Sequence, residues 1–239
     1  MHVSSLALDP IEKKPLARYK PGSMVLSVGS LGCTMHCPWC QNHEIAHPEL
    51  GMERQCREMG ADELAGLAER YVPQGNIGLA FTYNEPFYRI GDLLEVAQEV
   101  KARGLDVVVV TNGLIAADKL ARVLPCIDAL NIDLKGFTQE AYDVCGGKLE
   151  TVKAAIAQAS VAAHVEVTTL LIPGFNDDLD DLDAEARWLS GIDPDIPLHL
   201  TRFFPRWKWS DRPPTPIKTL RAAKEVCERH LNDVLLGNV

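Results

Sequence analysis

The chain has no long hydrophobic run. Its longer apolar stretches, such as the valines at 107–110, fall far short of the roughly 20 residues that a membrane-spanning helix needs. It also shows no export leader, because MHVSSLALDPIEKK contains no charged segment followed by an apolar one. Positive charge is scarce: 24 Lys and Arg stand against 33 Asp and Glu, a net charge of −9. That excludes a broad basic surface for nucleic acid or anionic lipid. Cysteine is limited to seven, an odd number, which argues against a disulfide framework in a chain without a leader. These absences predict a cytoplasmic protein with neither a nucleic-acid nor a membrane partner. The 239 residues, 46% of them hydrophobic, suffice for one sizeable core.

Three of the seven cysteines are not scattered. Residues 32–42 read GCTMHCPWCQN, placing Cys33, Cys37 and Cys40 in a C-x3-C-x2-C spacing just after the apolar run 24–28. So short a loop brings three thiols to one place, and converging thiols without an oxidising compartment imply a metal. Two readings are open. Zinc takes four ligands, and His43 would complete a Cys3His set. An iron–sulfur cubane is usually held by four cysteines. With three, one iron keeps a free position at which a substrate can bind. Cys56, Cys126, Cys145 and Cys227 are dispersed and read as structural thiols.

The rest of the chain alternates. Strands are predicted at 24–28, 77–81, 106–110, 129–134, 164–172 and 197–201. Helices are predicted at 61–71, 87–103, 116–123, from Thr138, and at 149–161, 178–189 and 216–230. Prolines at 10, 15 and 21 make residues 1–23 an irregular lead-in, and 234–239 a short tail. Alternation of this kind predicts an α/β fold with parallel strands. Six units are too few for a closed eight-stranded barrel, so a partial (β/α)6 barrel is expected, in a single domain spanning 1–239. In such barrels chemistry collects at the carboxyl ends of strands. Here those ends carry the cysteine loop, TYNEP, TNG, DLKG, IPG and RFFP.

The cysteine spacing, with Trp39 before the last cysteine, resembles the signature of radical S-adenosylmethionine (SAM) enzymes. Within them the chain resembles the activating enzymes of pyruvate formate-lyase and other glycyl-radical enzymes. It is most similar to the radical SAM member of the AmmeMemoRadiSam group. The likeness rests on DPIEKKPL (9–16), FTYNEP (81–86), NIDLKGF (131–137), EVTTLLIPGFND (166–177), RFFP (202–205) and PPTP (213–216). No ferredoxin-like insert with further C-x2-C pairs follows Asn42, and the cysteine-bearing flanks of longer members are missing, so one cluster is expected.

The resemblance implies a 4Fe–4S cluster on Cys33, Cys37 and Cys40, with SAM chelating the free iron through its amino and carboxylate groups. Reductive cleavage of SAM then yields methionine and a 5′-deoxyadenosyl radical that abstracts hydrogen. Tyr83, Asn84 and Glu85 stand where the family holds the methionine amine, although the glycines of that motif are missing. Lys135 is assigned to the SAM carboxylate and Asp133 to a ribose hydroxyl. Two residues apart, they share a side of the strand; a plain ion pair is the alternative. Asn112 is assigned to the site wall, Ile172 to the adenine and His199 to the nucleoside. Trp39 is expected to contact adenine or to shield the cluster. The resemblance also implies a protein or peptide substrate, a flavodoxin or ferredoxin as electron donor, and a monomer. RWKW at 206–209 reads as a lip for such a partner or as an ordinary surface loop. DDLDDLD at 177–183 lacks the glycine and glutamate of a calcium loop and reads as first-turn acids of a helix. His36, His43 and His47 read as loop residues rather than ligands.

Overall fold

Eight strands form one sheet, and their order in space is their order in the chain. They are β1 (Ser5–Pro10), β2 (Met24–Gly29), β3 (Asn76–Phe81), β4 (Asp106–Thr111), β5 (Ala129–Asp133), β6 (His164–Leu171), β7 (Leu198–Arg202) and β8 (Val234–Gly237). The computed structural model describes all 239 residues. Only β1 runs antiparallel to its neighbour; every other pair is parallel. The crossovers carry α1 (Ala61–Arg70), α2 (Ile90–Ala102), α3 (Ala117–Val123), α4 (Gln139–Cys145), α5 (Leu149–Ser160), α6 (Leu179–Ser190) and α7 (Ile217–Cys227). A small ribbon pairs His2–Val3 with Arg57–Glu58.

All six predicted strands are present, and the sheet adds one at each edge. The lead-in is only partly irregular: residues 5–10 form β1, whereas 14–23 carry neither strand nor helix. Pro10 sits at the very end of β1, on a sheet edge where a missing N–H costs little. The tail is likewise a strand, paired with β7 from Val234 against Leu198 onward. DDLDDLD begins α6 as expected: Asp178 caps it by accepting from the N–H groups of Asp180 (2.8 Å) and Asp181 (3.3 Å).

Alternation along each strand sorts the side chains into two layers. Leu79, Phe81, Val107, Val109, Leu130, Ile132, Val165 and Val167 join the buried stripes of the helices in one large core. The other parity packs separately. Ala80, Val108 and Ala129 lie side by side in register, and with Val25 they bury Ile11 and Leu16 of the lead-in. The small alanines leave room for Leu16, which fills the floor of the inner side. The lead-in is pinned there by polar bonds. Glu166 accepts from the N–H groups of Ala17 (2.9 Å) and Arg18 (2.8 Å), and Asn131 Nδ2 donates to the Pro15 carbonyl (2.8 Å).

The sheet does not close, yet both edges meet one space. Residues that follow β1 and residues of β8 line the same cavity of about 920 Å³. Its upper wall is made from the carboxyl ends of the strands between them.

Candidate active site

Cys33, Cys37 and Cys40 all line this cavity. The loop that carries them is held tightly. Gly32 has a φ of +97°, and a Cβ there would stand 2.2 Å from the Tyr88 ring, so only glycine fits. Asn84 Nδ2 donates to the Gly32 carbonyl (2.9 Å) and Asn84 Oδ1 accepts from the Ser30 N–H (2.9 Å). The His36 N–H donates to the Cys145 carbonyl (2.7 Å). Two donors face the first sulfur: the Met35 N–H at 3.4 Å and Asn112 Nδ2 at 3.6 Å from Cys33 Sγ.

Burial pushes the Cys33 thiol up to about 11 and also raises Cys40. A hydrogen bond shared with Cys145, together with burial, raises Cys37. Such thiols are poor free nucleophiles; a bound cationic centre is what makes buried thiolates affordable. No three His, Cys, Asp or Glu side chains converge closely enough to hold a single metal ion. His43 does not turn toward the sulfurs: it stacks on Trp207 at 5.1 Å.

Glu85 is fully buried and accepts three hydrogen bonds, from Thr111 Oγ1 (2.8 Å), the Asn112 N–H (2.8 Å) and the Phe87 N–H (2.9 Å). It ties the end of β3 to the end of β4. Burial raises its pKa to about 7, against the pull of these donors. Tyr83 takes a positive φ of +73°, and its hydroxyl donates to Asp9 Oδ2 at 2.9 Å. Lys14 and Lys13 donate to the same carboxylate at 2.9 and 3.1 Å. Burial opposes ionisation of Asp9, but the bonds from Lys14, Tyr83 and Lys13 hold its carboxyl well below the ordinary range.

On the next strand ends Lys135 Nζ donates to Asp133 Oδ2 at 2.8 Å, and both side chains line the cavity. Burial disfavours the Lys135 cation, yet Asp133 and nearby thiols raise its pKa above the ordinary value. His199 lines the cavity and is paired at 2.6 Å with Glu166. Glu166 also meets His164 at 2.9 Å. Burial opposes its ionisation, but the two histidines and the N–H groups of Arg18 and Ala17 hold it down to about 2. Trp39 lines the cavity and packs on Phe175 (5.0 Å between ring centroids) and Trp209 (4.8 Å).

Eleven of the twelve residues singled out in the sequence thus border one space. Ile172 does not. β6 ends at Leu171, Asn176 Oδ1 accepts from the Ile172 N–H at 2.8 Å, and the side chain is buried in the outer core. Leu170 and Thr168 of the same strand face the cavity instead. Sequence reasoning assigned no site role to Asp9, Lys14 or Glu166, although they lie in DPIEKKPL and EVTTLLIPGFND. Nor did it connect Cys145 with Cys37.

A sequence-family comparison matches residues 27–187 to the Radical SAM superfamily. The chain belongs to the radical SAM superfamily. Members of this family use a 4Fe–4S cluster and SAM, and the donor set here fits them: three thiols on one cavity, hydrogen-bond donors aimed at a ligand sulfur, and a lysine beside them. The radical SAM chain is 38% identical to Uncharacterized protein MJ0808 of Methanocaldococcus jannaschii, over 99% of this chain and 70% of that protein. It is 22% identical to the Pyruvate formate-lyase-activating enzyme of Staphylococcus epidermidis, over 68% of this chain and 67% of that one. Its fold matches the crystal structure of Streptococcus suis SuiB bound to S-adenosylmethionine with a TM-score of 0.67 at 12% identity. That match covers 88% of this chain and 49% of SuiB, so the chain spans about half of the larger protein. The predicted partial barrel of mostly parallel strands is the architecture found. No helix is long and apolar enough to cross a membrane.

Proposed function

We infer that this radical SAM enzyme activates a partner protein by removing hydrogen from a backbone glycine, as a glycyl-radical-enzyme activating enzyme. The observation that carries this reading is the cavity itself. It is bounded by the cysteine loop and by both unclosed edges of the sheet, so a loop of a second protein has a way in.

With the cluster and SAM bound, reductive cleavage supplies a 5′-deoxyadenosyl radical and methionine. The chain's residues then have these tasks. Cys33, Cys37 and Cys40 would hold the cluster. Asn112 and the Met35 N–H donate toward Cys33 and favour its thiolate form. Lys135 would offer its cation to the carboxylate of SAM, and Asp133, its ion-pair partner, would accept from a ribose hydroxyl. In the Tyr83–Asn84–Glu85 segment the Tyr83 and Glu85 carbonyls accept from Asn42 Nδ2 (2.8 Å) and the Tyr88 N–H (3.1 Å), so the Asn84 carbonyl is the one that would be offered to the amine. Glu85 itself braces this segment, since all three of its hydrogen bonds are internal. His199 and Trp39 border the nucleoside, and the floor built on Leu16 excludes water from below.

The test is anaerobic incubation of the reconstituted protein with a glycyl-radical enzyme, reductant and SAM. A glycyl radical signal in electron paramagnetic resonance, with deuterium passing from labelled glycine into 5′-deoxyadenosine, is the expected result. Deoxyadenosine formed without label or glycyl signal would leave a radical SAM enzyme of another substrate. The alternative is an AmmeMemoRadiSam-type enzyme acting on a different protein, peptide or small metabolite.

A further inference from the structure

Five cations line the cavity: Lys13, Lys14, Lys135, Arg202 and Arg206. Three of them are already paired. Asp9 takes Lys13 and Lys14, and Asp133 takes Lys135. Arg202 and Arg206 make no ion pair. The carboxyls that line the same space are engaged elsewhere. Glu12 accepts from the Gly22 N–H at 2.6 Å, Glu85 makes its three internal bonds, and Asp133 holds Lys135.

Arg202 is also built into place at the end of β7. Its Nε donates to the Thr215 carbonyl at 2.8 Å, and its Cζ lies 4.9 Å from the centre of the Phe204 ring. Thr215 is itself completely buried and fastened to two strand ends. Its hydroxyl donates to the Leu171 carbonyl (2.5 Å) and accepts from the Phe203 N–H (3.2 Å), and its own N–H donates to the Phe203 carbonyl (3.2 Å). The motifs RFFP and PPTP thus act together to hold one guanidinium. A bond at Nε and a ring against its face fix the plane of the group. Its terminal amino groups are left to face the cavity without a partner. Arg206 lines the same space, and its segment is tied to the cysteine loop by the Lys208 N–H, which donates to the Pro38 carbonyl at 3.0 Å.

Two unpaired cations held toward a cavity call for an anion. SAM brings one carboxylate, for which Lys135 is the cation, so the arginines are surplus to it and the anion comes with the substrate. Phosphate sites commonly add backbone N–H groups. Here the Phe203 N–H is spent on Thr215, and Pro205 has none. A planar guanidinium matches the two oxygens of a carboxylate. The net charge of −9 disfavours a polyanion, which would extend beyond the cavity; a single carboxylate in contact with the arginines does not extend so far. We propose that Arg202 and Arg206 form a clamp for a carboxylate of the substrate, seating it on the wall next to the cysteine loop. The inference rests on the activating-enzyme reading and deepens it: the loop that carries the target glycine would also carry an Asp or Glu side chain. A small carboxylic acid is the other source of the same group.

The experiment uses the reconstituted, SAM-loaded protein and calorimetry. The probes are glutarate, glutaramide, inorganic phosphate, and two capped glycine-containing peptides that differ only in Glu or Gln beside the glycine. Wild type is compared with Arg202→Gln/Arg206→Gln and with Arg202→Lys, which keeps the charge but loses the fork. Arg206→Gln alone, at an exposed position, serves if the Arg202 variants do not fold. The wild type is expected to bind a carboxylate probe roughly tenfold or more tighter than its amide. The double variant should bind the two alike, and each single variant should fall between. Equal binding of acid and amide by the wild type would overturn the proposal. So would tighter binding of phosphate than of glutarate, or a preference that survives in the double variant. A parallel loss of SAM affinity in that variant would also overturn it, by placing the arginines at the cofactor. Preference for the Glu peptide supports both the clamp and a protein substrate. Preference with glutarate alone keeps the clamp and counts against the activating-enzyme reading. Failure of the wild type to assemble a cluster would strike the radical SAM reading, and would be visible before any probe is added.

Discussion

The backbone N–H of Asn112 donates to Glu85 Oε2 at 2.8 Å, while the side-chain amide of Asn112 stands 3.6 Å from Cys33 Sγ. One buried carboxyl thereby sets the position of a donor that faces the Cys33 sulfur. Glu85→Ala leaves the Thr111 hydroxyl and the Asn112 and Phe87 N–H groups without this acceptor. The expected cost is about 2–4 kcal/mol, since unsatisfied buried donors carry their full desolvation penalty. Thermal unfolding measures it, and a lower iron content after reconstitution should accompany it. An unchanged melting temperature would show that Glu85 is not a brace.

Cys37→Ala should abolish cluster binding and leave a folded chain. Iron and acid-labile sulfide analysis checks the first, and far-ultraviolet circular dichroism the second. Full iron loading with intact SAM cleavage in this variant would contradict the assignment of the three thiols.

Leu16→Ala tests the floor. Leu16 is completely buried among Ile11, Val25, Ala80, Val108 and Ala129. Removing it should cost about 2–5 kcal/mol, far more than truncating a residue of a disordered leader. A denaturant midpoint equal to that of the wild type would mean that the lead-in does not plug the inner side.

A pH ramp should reveal two buried carboxyls. Burial raises Glu185 to about 8 and Glu85 to about 7, both above the roughly 4.3 of an exposed glutamate. In each case the folded state holds the proton more firmly than the unfolded one. The stability they contribute is therefore fully present below about pH 4.3 and lost as pH rises through 7 and 8. Glu185 accepts from Thr169 Oγ1 at 2.5 Å, but its other oxygen has no partner. Glu185→Gln keeps an acceptor for Thr169 and cannot ionise. Its stability should fall less than that of the wild type between pH 5 and 8, as read from urea midpoints. Parallel profiles would argue against a buried, protonated Glu185.

Much of this protein is written locally. Short β-branched runs such as DVVVVT announce strands like β4, and Gly, Asn and Pro end the runs where the chain turns toward the cavity. The C-x3-C-x2-C spacing brings three thiols to one loop whatever surrounds them. Asp133 and Lys135 do lie on the same side, but β5 ends at Asp133, so the ion pair between them rather than strand parity holds Lys135 there. Ile172 shows the limit of parity: once β6 ends at Leu171, the alternation that would aim it inward no longer holds. Other features depend on segments far apart in the chain. Tyr83 meets Asp9, Glu166 grips the backbone at Ala17 and Arg18, and Cys145 meets Cys37. The two edge strands fall in the same class, since a proline-rich leader and a four-residue tail become strands only where a neighbour offers unpaired N–H and C=O groups. Local patterning thus determined which elements form and which residues border the cavity. The closed floor, the buried braces and the setting of Arg202 against Thr215 were decided by tertiary packing, because burial and long-range pairing are properties of the folded chain and of no single stretch of it.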